Sequence, residues 1–321
     1  MKPFLLKPAC KASIWGGTKL KSKFGKDFPG DIISESWELS VHPAGLSLAD
    51  SGDEKGKPLA ELIRDPAVLG TNPAHYPTFP LMIKWIDSQR PLSIQVHPDN
   101  EYAMKNEKDM GKTEMWYIIE CEPDAYLYYG FQKEITPEEF AARIADDTLL
   151  DVVKKVPVKK GDVFFIPSGT LHAIGPGILL AEVQQSSNVT YRIYDYGRLD
   201  TDGKPRELHV EKAKEVTDLF PAQKVAPVPI PLTDPQDTLL SCCPYFAVVR
   251  QTVDSPRSYR ADAGSFHALM CVEGSGELTC GEEKLSFPAG ATVFVPANCE
   301  EFTLSGSMTV LDVFVPDPKA F

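Results

Sequence analysis

Residues 161–173 read GDVFFIPSGTLHA, and this stretch decides which fold we expect. A short apolar strand ends at a Pro-Ser-Gly turn, which delivers His172 between apolar neighbours. The same spacing of glycine and proline returns at 290–296, and five residues further on Glu301 takes the place of His172. We therefore expect two related β units, of which the second keeps the turn and lacks the histidine.

The rest of the chain has the same punctuated pattern. Its 22 glycines and 28 prolines separate short apolar runs about every ten residues, the spacing typical of a β-sandwich or barrel. Alternation of polar and apolar residues is clear at 92–97, 115–119, 162–166 and 189–193. These observations predict a mainly β protein.

Helix signals are few and lie outside these runs. Thr136-Pro137-Glu138-Glu139 has the form of a capping box with proline at the first helical position, so we predict a helix over 137–145. Apolar residues at helical spacing predict weaker helices at 58–64 and 208–219.

The chain is longer than a single hydrophobic core usually organises, so we expect two domains. Five prolines within residues 221–237 favour extended backbone and exclude a central strand, which places a linker there. The first domain then covers 1–220, with a small helical insertion near 134–156. The second domain covers 238–321.

The second domain keeps the strand pattern without a ligand set. We predict strands at 246–249, 266–272 and 292–295, with a turn between two of them at 274–276. His267 is its only histidine, which leaves too few donors for a zinc site. We therefore expect a structural role for this domain.

Composition argues against several classes of protein. The net charge is −12, which opposes binding to nucleic acid or anionic lipid. No stretch approaches the ~20 apolar residues that span a bilayer, and lysines and prolines interrupt the apolar start of the chain, so we expect neither a membrane segment nor a secretory leader. The seven cysteines include no Cys-x-x-Cys, which favours a reducing, cytoplasmic setting over a disulfide framework or a thiolate zinc site.

A first group of candidate ligands lies on one strand. Alternate side chains of an extended strand share a face, so Ser93, Gln95 and His97 point together. A solvated polar face would give the same pattern.

A second candidate lies further along the chain. Glu114 follows Lys112 just before an apolar run, where a carboxylate is either exposed at the strand end or paired with a cation or metal.

His172 completes a candidate metal set. Taken alone, a histidine between apolar residues is more often a hydrogen-bonded core residue. Together with Gln95, His97 and Glu114 it offers two nitrogens and two oxygens with one negative charge. Such a set suits a borderline divalent metal with open coordination positions.

Arg192 is the most unusual residue of the segment 182–198, because it lies within an apolar strand. A guanidinium group in such a place needs an anion. One explanation is a structural ion pair with Asp195 or Glu182, and the other is an anionic ligand.

Seven segments resemble one enzyme family, the type I mannose-6-phosphate isomerases in their short bacterial form. They occur in the family's order and cover residues 3 to about 200: WGG (15–17), ESWELS (35–40), FPLMIK (79–84), SIQVHP (93–98), GKTEMW (111–116), IPSGTLHA (166–173) and TYRIYD (190–195). Any one of these segments is weak evidence, whereas the combination is highly specific.

The resemblance implies two cupin barrels, each a double-stranded β-helix or jelly roll, with a few peripheral helices. It implies a catalytic first domain that binds one zinc ion per chain through Gln95, His97, Glu114 and His172. It further implies that Arg192 lies beside the reacting carbons, that Lys112 belongs to the active site, and that Lys84, Ser93 and Glu182 line the sugar-phosphate pocket.

The chain departs from the family pattern in two places. Many long members carry a helical domain between the metal-site segments, whereas here only the predicted helix at 137–145 is available. Many also have a histidine directly before the lysine that matches Lys112, where this chain has Gly111. A mechanism that uses this histidine as the base therefore cannot operate here.

The implied activity is the interconversion of mannose 6-phosphate and fructose 6-phosphate through an enediolate. Zinc would act as a Lewis acid, and Arg192 and Lys112 are natural stabilisers of the enediolate oxygen. Glu182, a hydroxide on the metal and a desolvated Lys112 all remain open as the base. Lys84 is our first candidate for a contact with the phosphate, whose binding serves to position the substrate.

Two other functions fit parts of the sequence. Two histidines and a carboxylate also occur in non-haem iron oxygenases, although Gln95 and the nearby cations suit a phosphosugar better. A sugar-binding cupin without turnover is the second alternative, and the intact ligand set argues against it. The sequence leaves open whether the chain is a monomer or a homodimer.

Overall fold

The structure is a computed structural model that describes residues 1–232 and 234–321. Thr233 belongs to the predicted linker and lies outside the described residues. Strands dominate the chain and its helices are short, which confirms the predicted mainly β class. None of the helices in the described ranges has the length and apolar character needed to cross a membrane.

Thirteen strands precede the proline-rich segment. They are β1 (Phe4–Lys7), β2 (Ala9–Lys11), β3 (Glu35–Leu39), β4 (Leu48–Ala49), β5 (Leu81–Ser88), β6 (Ile94–Val96), β7 (Glu114–Cys121), β8 (Tyr126–Phe131), β9 (Val153–Pro157), β10 (Val163–Ile166), β11 (His172–Ile174), β12 (Ile178–Gln185) and β13 (Tyr191–Tyr194).

Seven strands follow it. They are β14 (Thr238–Cys242), β15 (Ala247–Val253), β16 (Arg257–Tyr259), β17 (His267–Cys280), β18 (Glu283–Pro288), β19 (Thr292–Val295) and β20 (Phe302–Phe314). The α-helices are α1 (Lys19–Ser22), α2 (Leu59–Leu62), α3 (Pro66–Leu69), α4 (Asn100–Asn106), α5 (Pro137–Ala145) and α6 (Val210–Val216), and single 3-10 turns occur at Gly52–Glu54, Pro73–His75, Leu149–Asp151 and Pro318–Ala320.

Two antiparallel sheets form the first barrel. One has six strands in the order β10-β7-β12-β5-β3-β2, and the other has five in the order β13-β6-β11-β8-β9. Strands β5 and β12 are buried along their whole length because both faces of the six-stranded sheet are covered. One face of the six-stranded sheet lines the barrel interior, and the other face packs against the second domain.

A nine-stranded sheet forms the second domain, in the order β14-β15-β20-β17-β19-β1-β4, with β16 paired to β20 and β18 to β17. Its strands include β1 and β4 from the start of the chain, so Phe4 lies opposite Phe294 and their rings stack at 5.2 Å. The domain boundary at 221–237 remains a prediction. The pairing of β1 with β19 joins strands from the two sides of this boundary.

The predicted turn at 274–276 is wrong. Strand β17 continues through these residues, and Gly276 lies opposite Gly306 of β20. A Cβ at Gly276 would collide with the carbonyl of Ser305, so glycine is needed here for close approach of two strands. Gly274, with φ +79°, allows the strand to bend.

The helical predictions hold to different degrees. The helix α5 has the predicted bounds, and Thr136 Oγ1 accepts a hydrogen bond from the Glu139 amide at 3.1 Å as a capping box requires. The helices α2 and α6 are shorter than the predicted 58–64 and 208–219. Strand β9 begins at Val153, two residues after the end of the 3-10 turn that follows α5.

The largest buried apolar cluster lies between the six-stranded sheet and the second domain. It joins Trp85 and Val183 of the first barrel to Phe266 and Phe294 of the second. A separate cluster, which includes Trp116 and Leu180, fills part of the first barrel between its two sheets. The rest of that interior is polar and forms the candidate site.

Candidate metal centre and pocket

Three potential metal ligands converge inside the first barrel. His97 follows β6, Glu114 begins β7 and His172 begins β11, and their ligating atoms all lie within 4.8 Å of one another. Nε2 of His172 lies 3.3 Å from Oε1 of Glu114, and Nε2 of His97 lies 3.7 Å from Oε2. All three side chains are buried.

Gln95 lies beside this trio. It stands opposite His172 in the pairing of β6 with β11, and its Nε2 atom lies 3.4 Å from Nε2 of His172. The amide oxygen and nitrogen are interchangeable by rotation of the terminal group, so Gln95 can present an oxygen donor to the same point. The structure therefore brings all four predicted ligands together.

Backbone contacts fix the tautomer of both imidazoles. Nδ1 of His97 lies 2.8 Å from the carbonyl of Val189, and Nδ1 of His172 lies 2.8 Å from the carbonyl of Thr170. A carbonyl only accepts, so each Nδ1 donates and each Nε2 turns a lone pair towards Glu114. Burial and the ammonium of Lys112 lower the pKa of His97, and burial lowers the pKa of His172 to about 4, so both rings are neutral at neutral pH.

The carboxylate of Glu114 is buried and only partly satisfied. No residue that the structure describes donates a hydrogen bond to its Oε1 atom. Nζ of Lys112 lies 2.7 Å from Oε2 as an ion pair. Burial and the nearby Glu182 carboxylate raise the pKa of Glu114. A carboxylate oxygen without a donor that faces imidazole lone pairs fits a divalent cation.

Glu182 of β12 lies between two lysines in the same interior. Its Oε1 atom lies 3.2 Å from Nζ of Lys84 and 3.7 Å from Nζ of Lys112, while Trp116 Nε1 donates a 2.9 Å hydrogen bond to Oε2. Burial opposes ionisation of Glu182, but the two ammonium groups outweigh it and lower its pKa to about 2. Glu182 is therefore an oriented carboxylate at neutral pH.

Lys84 has a second carboxylate on its other side. Nζ of Lys84 lies 3.3 Å from Oε2 of Glu35 on β3. Burial opposes protonation of Lys84, but Glu35 and Glu182 raise its pKa, so the side chain carries a fixed positive charge.

A pocket of about 320 Å³ opens onto these groups. Its walls include six of the nine site residues predicted from the sequence: Lys84, Ser93, Gln95, Lys112, Glu182 and Arg192. The other three, His97, Glu114 and His172, form the ligand trio. The nine predicted site residues thus occupy one continuous region between the two sheets.

Arg192 of β13 has a half-buried guanidinium group at this pocket. Its Nη1 donates to the carbonyl of Glu207 at 2.7 Å, and its buried Nε finds no acceptor in the described part of the chain. Within the described ranges no carboxylate lies within 4.0 Å of Arg192. The structural ion pair with Asp195 or Glu182, one of the two explanations for Arg192, is therefore not formed. Burial and nearby Arg206 lower the pKa of Arg192.

Arg206 lines the pocket and was not predicted from the sequence. Asp195 accepts from Arg206 Nε at 2.8 Å and also pairs with Arg198 at 2.5 Å. Arg198 and Arg206 therefore share one carboxylate, and Arg192 adds a third guanidinium group nearby, which leaves a net positive charge at the pocket wall. Glu35 was also not predicted from the sequence. A signal was present, because Glu35 shares a face of β3 with Trp37. The ring of Trp37 lies 5.0 Å from Nζ of Lys84.

The fold and the pocket define a two-domain cupin with a candidate metal centre in its first barrel. Comparison with known sequences agrees with this class. Residues 4–127 match the family described as "Phosphomannose isomerase type I, catalytic domain", and residues 236–315 match "Mannose-6-phosphate isomerase, cupin domain".

Individual relatives match over nearly the whole chain. The mannose-6-phosphate isomerase of Streptococcus mutans is 35% identical over 97% of this chain and 97% of its own length. The mannose-6-phosphate isomerase ManA of Bacillus subtilis is 38% identical over 95% and 96%. The crystal structure of the Bacillus subtilis mannose 6-phosphate isomerase superposes with a TM-score of 0.89 at 34% identity, covering 98% of this chain and 99% of that one.

These matches show that the chain belongs to the type I phosphomannose isomerase family. It is an aldose–ketose isomerase, which confirms the resemblance drawn from the seven sequence segments. The sequence left two alternatives, an oxygenase and a non-catalytic binding protein. The relatives of this chain belong to neither class.

Proposed function

We propose that this chain interconverts mannose 6-phosphate and fructose 6-phosphate with one zinc ion per chain, held by Gln95, His97, Glu114 and His172. The observation that carries the proposal is that two neutral imidazole nitrogens face the buried carboxylate of Glu114, whose Oε1 atom has no hydrogen-bond donor among the described residues. The curated relatives carry the name of this reaction. The seven free cysteines support a reducing, cytoplasmic setting.

The donor set favours zinc among common divalent ions. Two imidazole nitrogens with oxygen donors suit zinc, whereas magnesium and calcium prefer all-oxygen sites. When bound, zinc supplies Lewis-acid polarisation of the substrate's carbonyl group.

Lys112 and Arg192 are proposed to stabilise the negative charge of the enediolate. Both line the pocket, and Lys112 lies 3.2 Å from Nε2 of His97, next to the ligand trio. Arg192 projects from β13, where it stands opposite Gln95. Cations held in place before the reaction stabilise developing charge without reorganising.

Glu182 is the candidate that we propose for the base. It is ionised at neutral pH, lines the pocket and is oriented by the indole of Trp116. Its two lysine neighbours make it a weak base in the free enzyme. A substrate oxygen that draws Lys84 or Lys112 away from Glu182 would raise its basicity when it is needed.

The phosphate site requires cations that outnumber their carboxylate partners. Lys84, our first candidate from the sequence, lies between two carboxylates and is 5% exposed. Arg206 reaches the pocket wall and shares the single carboxylate of Asp195 with Arg198, so this pair of arginines keeps a net positive charge. We therefore propose that Arg206 binds the phosphate and that Lys84 orients Glu182.

A direct assay tests the proposed substrate. Purified protein with added zinc is incubated with mannose 6-phosphate, and fructose 6-phosphate is followed by a coupled enzymatic reaction. We expect turnover with the phosphorylated sugar and little with free mannose, because phosphate binding positions the reacting carbons. Equal turnover of free mannose, or none of mannose 6-phosphate, would refute the substrate assignment.

A further inference from the structure

The loop that carries Lys112 is held by side chains outside the pocket. Oδ1 of Asn100 accepts hydrogen bonds from the Gly111 amide at 3.0 Å and from Nε2 of Gln185 at 2.9 Å. Oε1 of Gln185 accepts from the Thr113 amide at 2.9 Å. The amides of Gly111 and Thr113, the residues before and after Lys112, are thus fixed by one pair of amide side chains.

Backbone contacts press the same loop against the start of α4. The Lys112 amide donates to the carbonyl of Pro98 at 3.0 Å. A Cβ at Gly111 would collide with backbone atoms of Asp99 and Asn100. Glycine is therefore needed at this position, because no side chain fits between the loop and the start of α4.

The second domain completes the network through one hydroxyl group. Nδ2 of Asn100 donates to Oη of Tyr245 at 2.9 Å. Tyr245 lies between β14 and β15, and its half-buried ring packs against Tyr76 with the ring centres 6.1 Å apart. A continuous path of hydrogen bonds therefore runs from the second domain to the amides of the two residues next to Lys112.

We propose that Asn100, Gln185 and Tyr245 are positioning residues that hold Lys112 at the pocket, so that the second domain takes part in catalysis through Tyr245. The inference rests on the proposed role of Lys112. A lysine has a long, flexible side chain, and its charge acts at a fixed point only if its backbone is anchored. Small displacements of catalytic groups are costly, since about 1 Å can lower the rate roughly a hundredfold.

Three variants remove the network in steps. Asn100→Ala deletes the central amide, Gln185→Met keeps the length of the side chain without hydrogen bonds, and Tyr245→Phe deletes one oxygen atom. We expect kcat to fall about tenfold in Asn100→Ala and Gln185→Met and about threefold in Tyr245→Phe. KM and zinc content should remain normal, which separates loss of position from loss of metal.

The control is Asn106→Ala on the same helix. Asn106 is exposed, and among the described residues its side chain donates only to the carbonyl of Tyr102, so its removal should leave kcat unchanged. Thermal unfolding of every variant shows whether a loss of activity follows from loss of fold. If Asn100→Ala unfolds, Tyr245→Phe carries the test, because it removes no buried carbon.

A double-mutant cycle with Lys112→Met decides the inference. If Asn100 and Tyr245 act through Lys112, adding either change to Lys112→Met should cause no further loss of kcat. An additive loss, or a loss of zinc in Asn100→Ala, would overturn the inference and leave the role of Lys112 intact. Wild-type kcat in Lys112→Met alone would instead refute the proposed role of Lys112, and the inference with it.

Discussion

The ammonium nitrogen of Lys112 lies 2.7 Å from Oε2 of Glu114, so a pocket cation contacts a proposed metal ligand. The charge of Lys112 then competes with a divalent ion for the same carboxylate. Lys112→Met should therefore bind zinc at least as tightly as the unmodified protein while kcat falls by about a hundredfold or more. Zinc affinity is measured by competition with a chromogenic chelator. Weaker zinc binding in Lys112→Met would show that the lysine supports the metal centre instead.

Arg192 gives the clearest test of charge stabilisation. It lines the pocket and finds no carboxylate within 4.0 Å among the described residues. Arg192→Ala should lower kcat by roughly two to three orders of magnitude with normal zinc content, because the group acts on the transition state and not on the metal. Arg260→Ala, at an exposed position in the second domain, is the matched control. Near-normal kcat in Arg192→Ala would assign Arg192 a structural role.

The two candidate phosphate contacts should differ in their kinetic signatures. Arg206→Ala should raise KM for mannose 6-phosphate about tenfold or more with a smaller change in kcat, as expected for binding of a remote group. Lys84→Ala should mainly lower kcat, because Lys84 lies 3.2 Å from Glu182. Lys204→Ala, exposed on the same loop as Arg206, is the control. The reverse pattern would return the phosphate contact to Lys84.

The ion pair of His267 with Asp312 predicts a pH dependence of stability in the second domain. Nδ1 of His267 lies 2.8 Å from Oδ1 of Asp312, and although burial favours the neutral ring, the carboxylate raises the pKa of His267. The stabilisation is therefore complete below the unfolded-state pKa of about 6.5 and is lost as pH rises through the higher folded-state pKa.

Urea unfolding of the intact protein and of His267→Gln measures this effect. The difference in the free energy of unfolding between the two proteins should shrink as pH increases from about 6 across that window. A difference that stays constant with pH would show that the pair does not titrate with a raised pKa.

The parts of the fold that were predicted correctly depend on local signals. Helix α5 follows from Thr136 and the residues directly after it, because a capping box satisfies its own backbone amides. The strand pattern around Gln95 and His97 follows from alternation, since Ile94 and Val96 pack in the core on the other face.

The predictions that failed or were missing depend on contacts between distant segments. The local sequence around Gly276 is typical of a turn. Its actual role is the close approach of β17 to β20, which depends on Gly306, a residue distant in the sequence. The contact of Glu35 with Lys84 and that of Asn100 with Tyr245 likewise join separate strands or domains. The four candidate ligands follow from residue type and strand alternation, and the family resemblance implies the same set. Their common meeting point depends on pairings such as that of Gln95 with His172, which the local sequence does not reveal.

Zinc reconstitution tests the central claim most directly. The protein is stripped with a chelator, its metal content is measured by mass spectrometry, and turnover of mannose 6-phosphate is recorded before and after adding zinc, magnesium or calcium. The control is His75→Ala, at an exposed position that should not alter metal binding, whereas His172→Ala should bind no zinc. We predict that the stripped protein is inactive and that one zinc per chain restores turnover best. Full turnover by the metal-free protein would contradict the account.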